Sequence, residues 1–446
     1  MQDQVKNLGM WQRAKNMAEA TPAERNRYVD FLRALSISAV VLGHWIIAAP
    51  YMLDGSANMD HLLTIQPWSQ WLTWVFQVMP IFFFVGGYSN GVSWDSAQRK
   101  GQSYSSWLHA RLQRLLGPVL PLIFVWTIMA IITQAFGVHP LMVTHGSQIS
   151  LVPVWFLAIY FVIVTLVPLT RIAWRKFGVM SIVVPLVLAV LGDWIFFNTA
   201  YQWFGWFNYL FIWGAVHQLG YAWQAGKLGG LLQSIGLAVI GLVTLIALTQ
   251  YGIYPTSLVG VPGEAITNTT PPKLPLIALG LAQIGIALSF EGPMRRWLAR
   301  GRVWTATVLT NGFIMPIYLW HSTVMILLIG ATFALLPMAL DIMPGTSQWW
   351  WHRPIWIGVY LIAMMLVLPL IMVLDKRSES IGKRQVSWWL TLIAGLLICF
   401  GLAILAKNGI AGSSLLGINW LAVLMPFIGA LLLRVGYRFG SSSASS

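Results

Sequence analysis

Two ionisable side chains in the first apolar run have the types and the spacing needed for chemistry. Arg33 and His44 are eleven residues apart within residues 27–45. Eleven steps of about 100° end within about 20° of the starting direction, so in a helix both side chains leave one face, about 16 Å apart along the axis. A guanidinium binds anions, and an imidazole can accept a proton near neutral pH. The pair predicts an anion site near the helix start and a base deeper in the same face.

Arg111 and Arg114 form a second basic pair, directly before Gly117 and Pro118. Side chains at i and i+3 are neighbours on a helix, and a planar guanidinium binds phosphate better than a point charge does. The pair predicts a phosphate-bearing ligand. Arginines in such a place also serve simply to orient a membrane protein, and that alternative stays open here.

A third polar group lies in a later apolar run that contains Pro316. Asn311 and Tyr318 are seven residues apart and share a helix face, while His321 follows one turn after Tyr318. Polar groups inside apolar helices usually face a cavity or a partner helix. Hydrogen bonding between helices would explain these residues, and His44, as well as chemistry would.

The elements that must position these residues are membrane helices. Of the 446 residues, 57% are hydrophobic and only 9% are charged, against roughly 25% charged in ordinary globular chains. A soluble fold is therefore excluded, and the sequence predicts an all-α polytopic membrane protein with about twelve transmembrane helices. The predicted runs are 30–49, 68–90, 116–135, 154–170, 179–197, 203–222, 229–250, 274–290, 304–333, 355–374, 386–406 and 418–434.

The basic residues predict the orientation. If the N-terminus is cytoplasmic, all of the 27 Lys and Arg except Lys273, Arg353 and Lys407 lie on the cytosolic side. Such asymmetry follows the positive-inside rule and predicts two cytoplasmic termini and a multi-pass protein of the cytoplasmic membrane. The net charge of +14 therefore does not indicate nucleic acid. One cysteine and scattered histidines give no reason to expect a metal.

Five stretches resemble motifs of acyltransferase family 3, a family of integral-membrane proteins. They are Arg-x10-His within 30–44, Pro-Ile-Phe-Phe-Phe-Val-Gly-Gly-Tyr at 80–88, Arg-x-x-Arg at 111–114, Trp-Phe-Leu-x-x-Tyr at 155–160 and Tyr-Leu-Trp-His at 318–321. The resemblance covers about residues 27–375, which would correspond to a ten-helix core. This chain departs from the family pattern in two ways. It has Gly86-Gly87 where many members have Ser-Gly, and it has additional spans beyond the core.

The resemblance implies transfer of an acyl group, commonly acetyl from cytosolic acetyl-CoA, to a hydroxyl. In the family the histidine of the first motif is essential and the paired arginines are associated with the nucleotide end of CoA. These roles carry over to His44, to Arg33 beside it in the motif, and to Arg111 and Arg114. The acceptor would be a carbohydrate, a lipid-linked glycan or another hydroxyl-bearing molecule.

The further roles within that reaction are hypotheses, and direct transfer to the acceptor and transfer through an acyl group carried first on His44 both stay open. His44 would act as general base, and either an arginine or Tyr318 could stabilise the oxyanion. His321 is the second candidate base.

We expect four segments, which are a cytoplasmic segment 1–28, an acyltransferase core 29–375, an additional helix pair 386–434 and a flexible tail 435–446. The expected partners are acyl-CoA, membrane lipid and the acceptor, and no nucleic acid; the sequence defines no oligomeric state.

A secondary transporter or flippase of lipid-linked or sugar-like substrates is the alternative, because many spans with buried polar groups suit transport too. Transport normally uses buried carboxylates or broken helices. Asp193 is the one acid placed inside a predicted span away from its cytosolic end. A sensor or scaffold without catalysis is a third interpretation, but it gives no reason for aligning Arg33 with His44.

Overall fold

A computed structural model of the protein describes residues 9–22, 24–376 and 387–435. Most of this described chain is helical, apart from a two-stranded antiparallel pair and the connections, of which the stretch 251–273 is the longest described one. The start of the predicted segment 1–28, the connection at 377–386 and nearly all of the predicted tail 435–446 fall outside the described residues.

The elements follow in chain order. They are α1 (Met10–Glu19), α2 (Arg27–Ile47), β1 (Ala48–Leu53), β2 (Ser56–His61), α3 (Leu62–Ile65), α4 (Thr73–Phe76), α5 (Met79–Arg99), α6 (Tyr104–Leu116), α7 (Val119–Ala135), α8 (Pro140–Thr165), α9 (Val167–Phe177), α10 (Met180–Asn198), α11 (Asn208–Gln224), α12 (Leu231–Gln250), α13 (Leu274–Ser289), α14 (Glu291–Leu298), α15 (Gly301–Leu335), α16 (Ser347–Lys376), α17 (Trp388–Asn408) and α18 (Trp420–Val435). Short 3₁₀ helices are Pro67–Leu72, Gln202–Phe207, Pro337–Leu340 and Leu415–Gly417.

The helices confirm the all-α polytopic membrane class. Among the described residues, 9 helices are long and apolar enough to cross a membrane, or 10 if α13 and α14, which meet at a 53° bend, form one span. Each of the predicted runs overlaps a helix. The helices α11 and α18, at 17 and 16 residues, are not among the long apolar helices counted here. The number twelve and the cytoplasmic position of both termini therefore stay predictions.

The chain divides into two compact units. The first unit consists of Met1–Gly43, His61–Val92 and Leu169–Met315, and the second consists of His44–Asp60, Ser93–Pro168 and Pro316–Ser446. In the first unit, α5 and α11 approach closely at Gly87 and Gly220. A side chain at Gly87 would collide with the carbonyl group of His217. Small residues of this kind let membrane helices pack backbone to backbone.

In the second unit the two C-terminal helices are packed into the fold. α17 lies against both α18 and α8. A side chain at Gly401 would collide with Pro426 of α18. The Gln148 side chain of α8 donates to the carbonyl of Lys407 at 2.7 Å, and the Ile410 amide donates to the Ser147 hydroxyl at 3.0 Å. The C-terminal part of the chain therefore stabilises α8 through packing and hydrogen bonds.

Candidate active site

His44 of α2 and His321 of α15 form a pair within the second unit. His44 Nδ1 lies 2.8 Å from His321 Nε2. The rings are nearly parallel, with centroids 5.1 Å apart and an interplanar angle of 11°. His321 is 0% exposed, and His44 is partly buried. Two residues that the sequence offered as separate candidates are thus joined.

The hydrogen bonds assign the tautomers of both rings. His321 Nδ1 lies 2.7 Å from the carbonyl oxygen of Tyr318, which can only accept, so Nδ1 carries the proton. A neutral imidazole has one N–H, so His321 Nε2 is an acceptor and His44 Nδ1 donates to it. The lone pair of His44 is then on Nε2. This assignment follows from the hydrogen-bond network rather than from observed protons.

Two further groups surround His321. The Ser322 hydroxyl lies 3.1 Å from His321 Nε2 and can donate to the same nitrogen. The Tyr318 hydroxyl, which the sequence offered for the oxyanion, donates to the Pro153 carbonyl at 3.0 Å. Tyr318 therefore contributes to the histidine pair through its backbone carbonyl, while its hydroxyl links α15 to α8.

In this arrangement one imidazole orients the other. The Tyr318 carbonyl fixes His321, and His321 holds His44 with the basic nitrogen on its other side. A nucleophile, a base and a group that orients the base recur in many enzymes of group transfer. The pair can thus remove a proton from a hydroxyl that reaches His44 Nε2.

Arg33 belongs to a separate polar cluster in the first unit. Its guanidinium donates to the Asp30 carboxylate at 2.9 Å and to the Asn311 side-chain oxygen at 3.1 and 3.2 Å. Asn311 returns a hydrogen bond to the Asp30 backbone carbonyl at 3.1 Å. The other Asp30 oxygen accepts from Arg25 at 2.6 Å. Asn311 is therefore the orienting partner of Arg33, a role that the sequence did not assign.

Asp30 is the part of this cluster that sequence reasoning missed. It is 5% exposed and bridges Arg25 and Arg33. The signal was available, because an acid three residues before an arginine lies on the same helix face. The Arg33 side chain keeps 32% of its surface exposed, so the cluster presents an oriented guanidinium at an accessible place.

Arg111 and Arg114 both lie on α6, in the second unit, at the predicted spacing. The Arg111 guanidinium lies 5.7 Å from the ring centroid of Trp107, one turn before it, and Arg114 is exposed. The aromatic ring restricts the orientation of the stacked guanidinium. In the described parts of the chain no cluster of His, Cys, Asp and Glu could hold a metal ion.

Each of two helices carries a member of both polar groups. α2 contains Arg33 and His44, and α15 contains Asn311 and His321. The proline of α15, Pro316, lies between its two polar residues.

Comparison with protein families identifies a match over most of the chain. A family model described as an acyltransferase domain, that of acyltransferase family 3, matches residues 26–374 of the 446. The matched range contains all six predicted site residues and leaves the helix pair α17 and α18 outside. No curated protein and no solved structure gives a significant match.

Proposed function

Since the chain belongs to acyltransferase family 3, we propose that it transfers an acyl group from cytosolic acyl-CoA to a hydroxyl. The acyl group that we propose is acetyl. The acceptor hydroxyl belongs to a cell-envelope glycan, a lipid-linked sugar or a small molecule. The observation that carries this proposal is the hydrogen-bonded pair of His44 and His321, in which one imidazole orients the other. The proposed location is the cytoplasmic membrane, with both termini in the cytosol.

In the proposed reaction His44 Nε2 takes the proton of the acceptor hydroxyl. The hydroxyl oxygen attacks the thioester carbonyl carbon, and the carbon–sulfur bond then breaks. The CoA sulfur leaves as a thiolate and receives the proton from the His44 imidazolium. The products are an ester and free CoA, and His44 returns to its neutral form. His321 accepts from His44 Nδ1 throughout, so the ring keeps its direction.

The proposed donor contacts are arginines. Arg111 and Arg114 would bind the phosphates at the nucleotide end of CoA, supported by their i, i+3 spacing on α6. Arg33 is proposed as a further contact to the donor. Its hydrogen bonds to Asp30 and Asn311 support this role, because they orient the guanidinium before a ligand arrives.

The experiment combines membranes that contain the purified and reinserted protein with radiolabelled acetyl-CoA. We expect label in an extractable glycan or lipid and release of CoA in equal amount. His44→Gln, which keeps a polar head of similar reach but cannot act as a base, is the matched control. Transfer that continues unchanged in this variant would contradict the proposed base. Movement of an unmodified substrate across the membrane without CoA release would instead support a transporter.

A further inference from the structure

Arg353 is a buried cation that the sequence placed in an outside loop. The structure places it in α16, with 3% of its surface exposed. Among the residues that the structure describes, the ion pairs do not include Arg353. A buried charge is costly unless other groups solvate it, and ionisable residues at membrane depth usually have a function. The groups that solvate Arg353 should therefore reveal its role.

The guanidinium binds the end of the helix that carries His44. One terminal nitrogen of Arg353 donates to the carbonyls of Trp45 at 2.8 Å and Ile46 at 2.9 Å, and also to the carbonyl of Ala48. The last carbonyls of a helix have no partner within it, and a cation is favourable at that negative end. The Trp349 ring packs on the guanidinium, with its centroid 4.4 Å from the Arg353 Cζ atom. Arg353 therefore caps the C-terminal end of α2.

This cap is directly connected to the histidine pair. Trp45 follows His44, and its indole N–H donates to the His321 backbone carbonyl at 3.3 Å. The Trp45 ring also packs against Tyr360 of α16, with centroids 5.7 Å apart. One end of α2 is thus held to α16 by Arg353 and to α15 by Trp45, and His44 lies at that end.

We propose that Arg353 is a positioning residue, which fixes the end of α2 so that His44 Nδ1 stays in hydrogen-bond distance of His321 Nε2. The role rests on the proposed acyl transfer, with His44 as base. Arginine suits it because its planar guanidinium packs on the Trp349 ring while one terminal nitrogen reaches the carbonyls. A lysine ammonium keeps the charge and can donate to carbonyls, but it cannot lie flat on that ring.

A double-mutant cycle tests this role in the reinserted protein. The variants Arg353→Met and Arg353→Lys are measured alone and together with His44→Gln, with the initial rate of CoA release recorded against acetyl-CoA concentration. Arg353→Met should lower the maximal rate by up to about 10²-fold, the scale of a small misplacement of a catalytic group. Arg353→Lys should recover part of the rate, and the KM for acetyl-CoA should stay unchanged. Lys407→Met, which removes an exposed basic side chain of α17, is the control.

The His44→Gln background distinguishes positioning from a general structural effect. If Arg353 acts through His44, Arg353→Met should scarcely change the residual rate of His44→Gln. An equal loss in both backgrounds, or a raised KM for acetyl-CoA with the maximal rate kept, would overturn the positioning role.

A second readout needs no acyl transfer. Carbethoxylation of His44 by diethyl pyrocarbonate, followed by mass spectrometry, should proceed at a different rate in Arg353→Met than in the parent and in Lys407→Met, because both the orientation of the ring and the nucleophilicity of Nε2 depend on the hydrogen bond from Nδ1 to His321. Unchanged reactivity would overturn the positioning role. Absence of transfer in the parent, with the reactivity changed as expected, would contradict only the proposed function.

Discussion

Replacing His321 by alanine separates a base with an orienting partner from a single catalytic histidine. In the parent, His321 accepts from His44 Nδ1 at 2.8 Å and is itself fixed by the Tyr318 carbonyl at 2.7 Å. Alanine removes that acceptor and leaves the rest of α15 in place. His44 can then turn or change its tautomer, and either change takes the lone pair away from the acceptor hydroxyl.

The size of the effect follows from the lost hydrogen bond. His321 is 0% exposed. In the variant, the Nδ1–H of His44 therefore loses its acceptor on the buried side of the ring. A buried donor that loses its acceptor costs about 1–3 kcal/mol, and about 1.4 kcal/mol corresponds to a factor of ten. We therefore expect the maximal rate of His321→Ala to fall by roughly 5- to 150-fold. His321→Gln should lose less, because its side-chain oxygen can accept.

The assay is the initial rate of acetyl transfer against acetyl-CoA concentration, in protein that remains monodisperse after purification. The maximal rate should fall while the KM for acetyl-CoA stays the same, because neither histidine is assigned to donor binding. Ser322→Ala removes only a second contact to His321 Nε2 and should cost less. The double variant of His44→Gln with His321→Ala should be no slower than His44→Gln alone. A full additional loss in the double variant would refute the orienting role.

The other predictions concern the base, the donor and the orientation. His44→Gln should lower the maximal rate by about 10²-fold or more, the usual scale for a general base, and a near-normal rate measured in the same assay would shift the base to the other imidazole. Arg111→Ala and Arg114→Ala should each weaken CoA binding in a direct titration, with Lys restoring it incompletely; a double variant that binds like the parent would leave only an orientation role. The orientation is tested with single cysteines in a background whose lone cysteine is changed to serine. A cysteine at the exposed position Lys407 should react with an impermeant thiol reagent outside intact cells, whereas one at the exposed position Arg296 should not. The reverse result would invert the topology.

The helices were predictable because apolar runs of membrane length are their direct cause. Periodicity also placed Asn311 and Tyr318 on one helix face, and this stays a prediction. It could not predict that His44 meets His321, since these residues are 277 positions apart and nothing in a single sequence pairs two distant faces. For the same reason, Asn311 was found as part of a polar stripe but not as the partner of Arg33.

Two basic residues that the sequence placed in outside loops are buried within the protein. Lys273 is 1% exposed and Arg353 is 3% exposed. Lys273 donates to the Pro271 carbonyl at 3.1 Å and lies 4.1 Å from the ring centroid of Phe196, and burial lowers the pKa of Lys273 to about 8. Charge asymmetry reports only the side of the membrane. It cannot show whether a cation finds carbonyl groups and rings that stabilise it inside the protein.

Asp193 bears on the alternative of a transporter, because a buried carboxylate was the feature that kept transport open. The structure gives this carboxylate three donors, the Asn208 side chain at 2.8 Å, the Tyr254 hydroxyl at 2.9 Å and the Leu274 amide at 2.9 Å. Leu274 is the first residue of α13, so Asp193 satisfies a helix N-terminus, where negative charge is favourable. A coupling carboxylate must exchange its partners during transport, whereas these bonds hold α10, α11 and α13 to one another. The acid therefore has a structural explanation, while the paired imidazoles of His44 and His321 are accounted for by the proposed proton transfer, and this difference favours acyl transfer over transport.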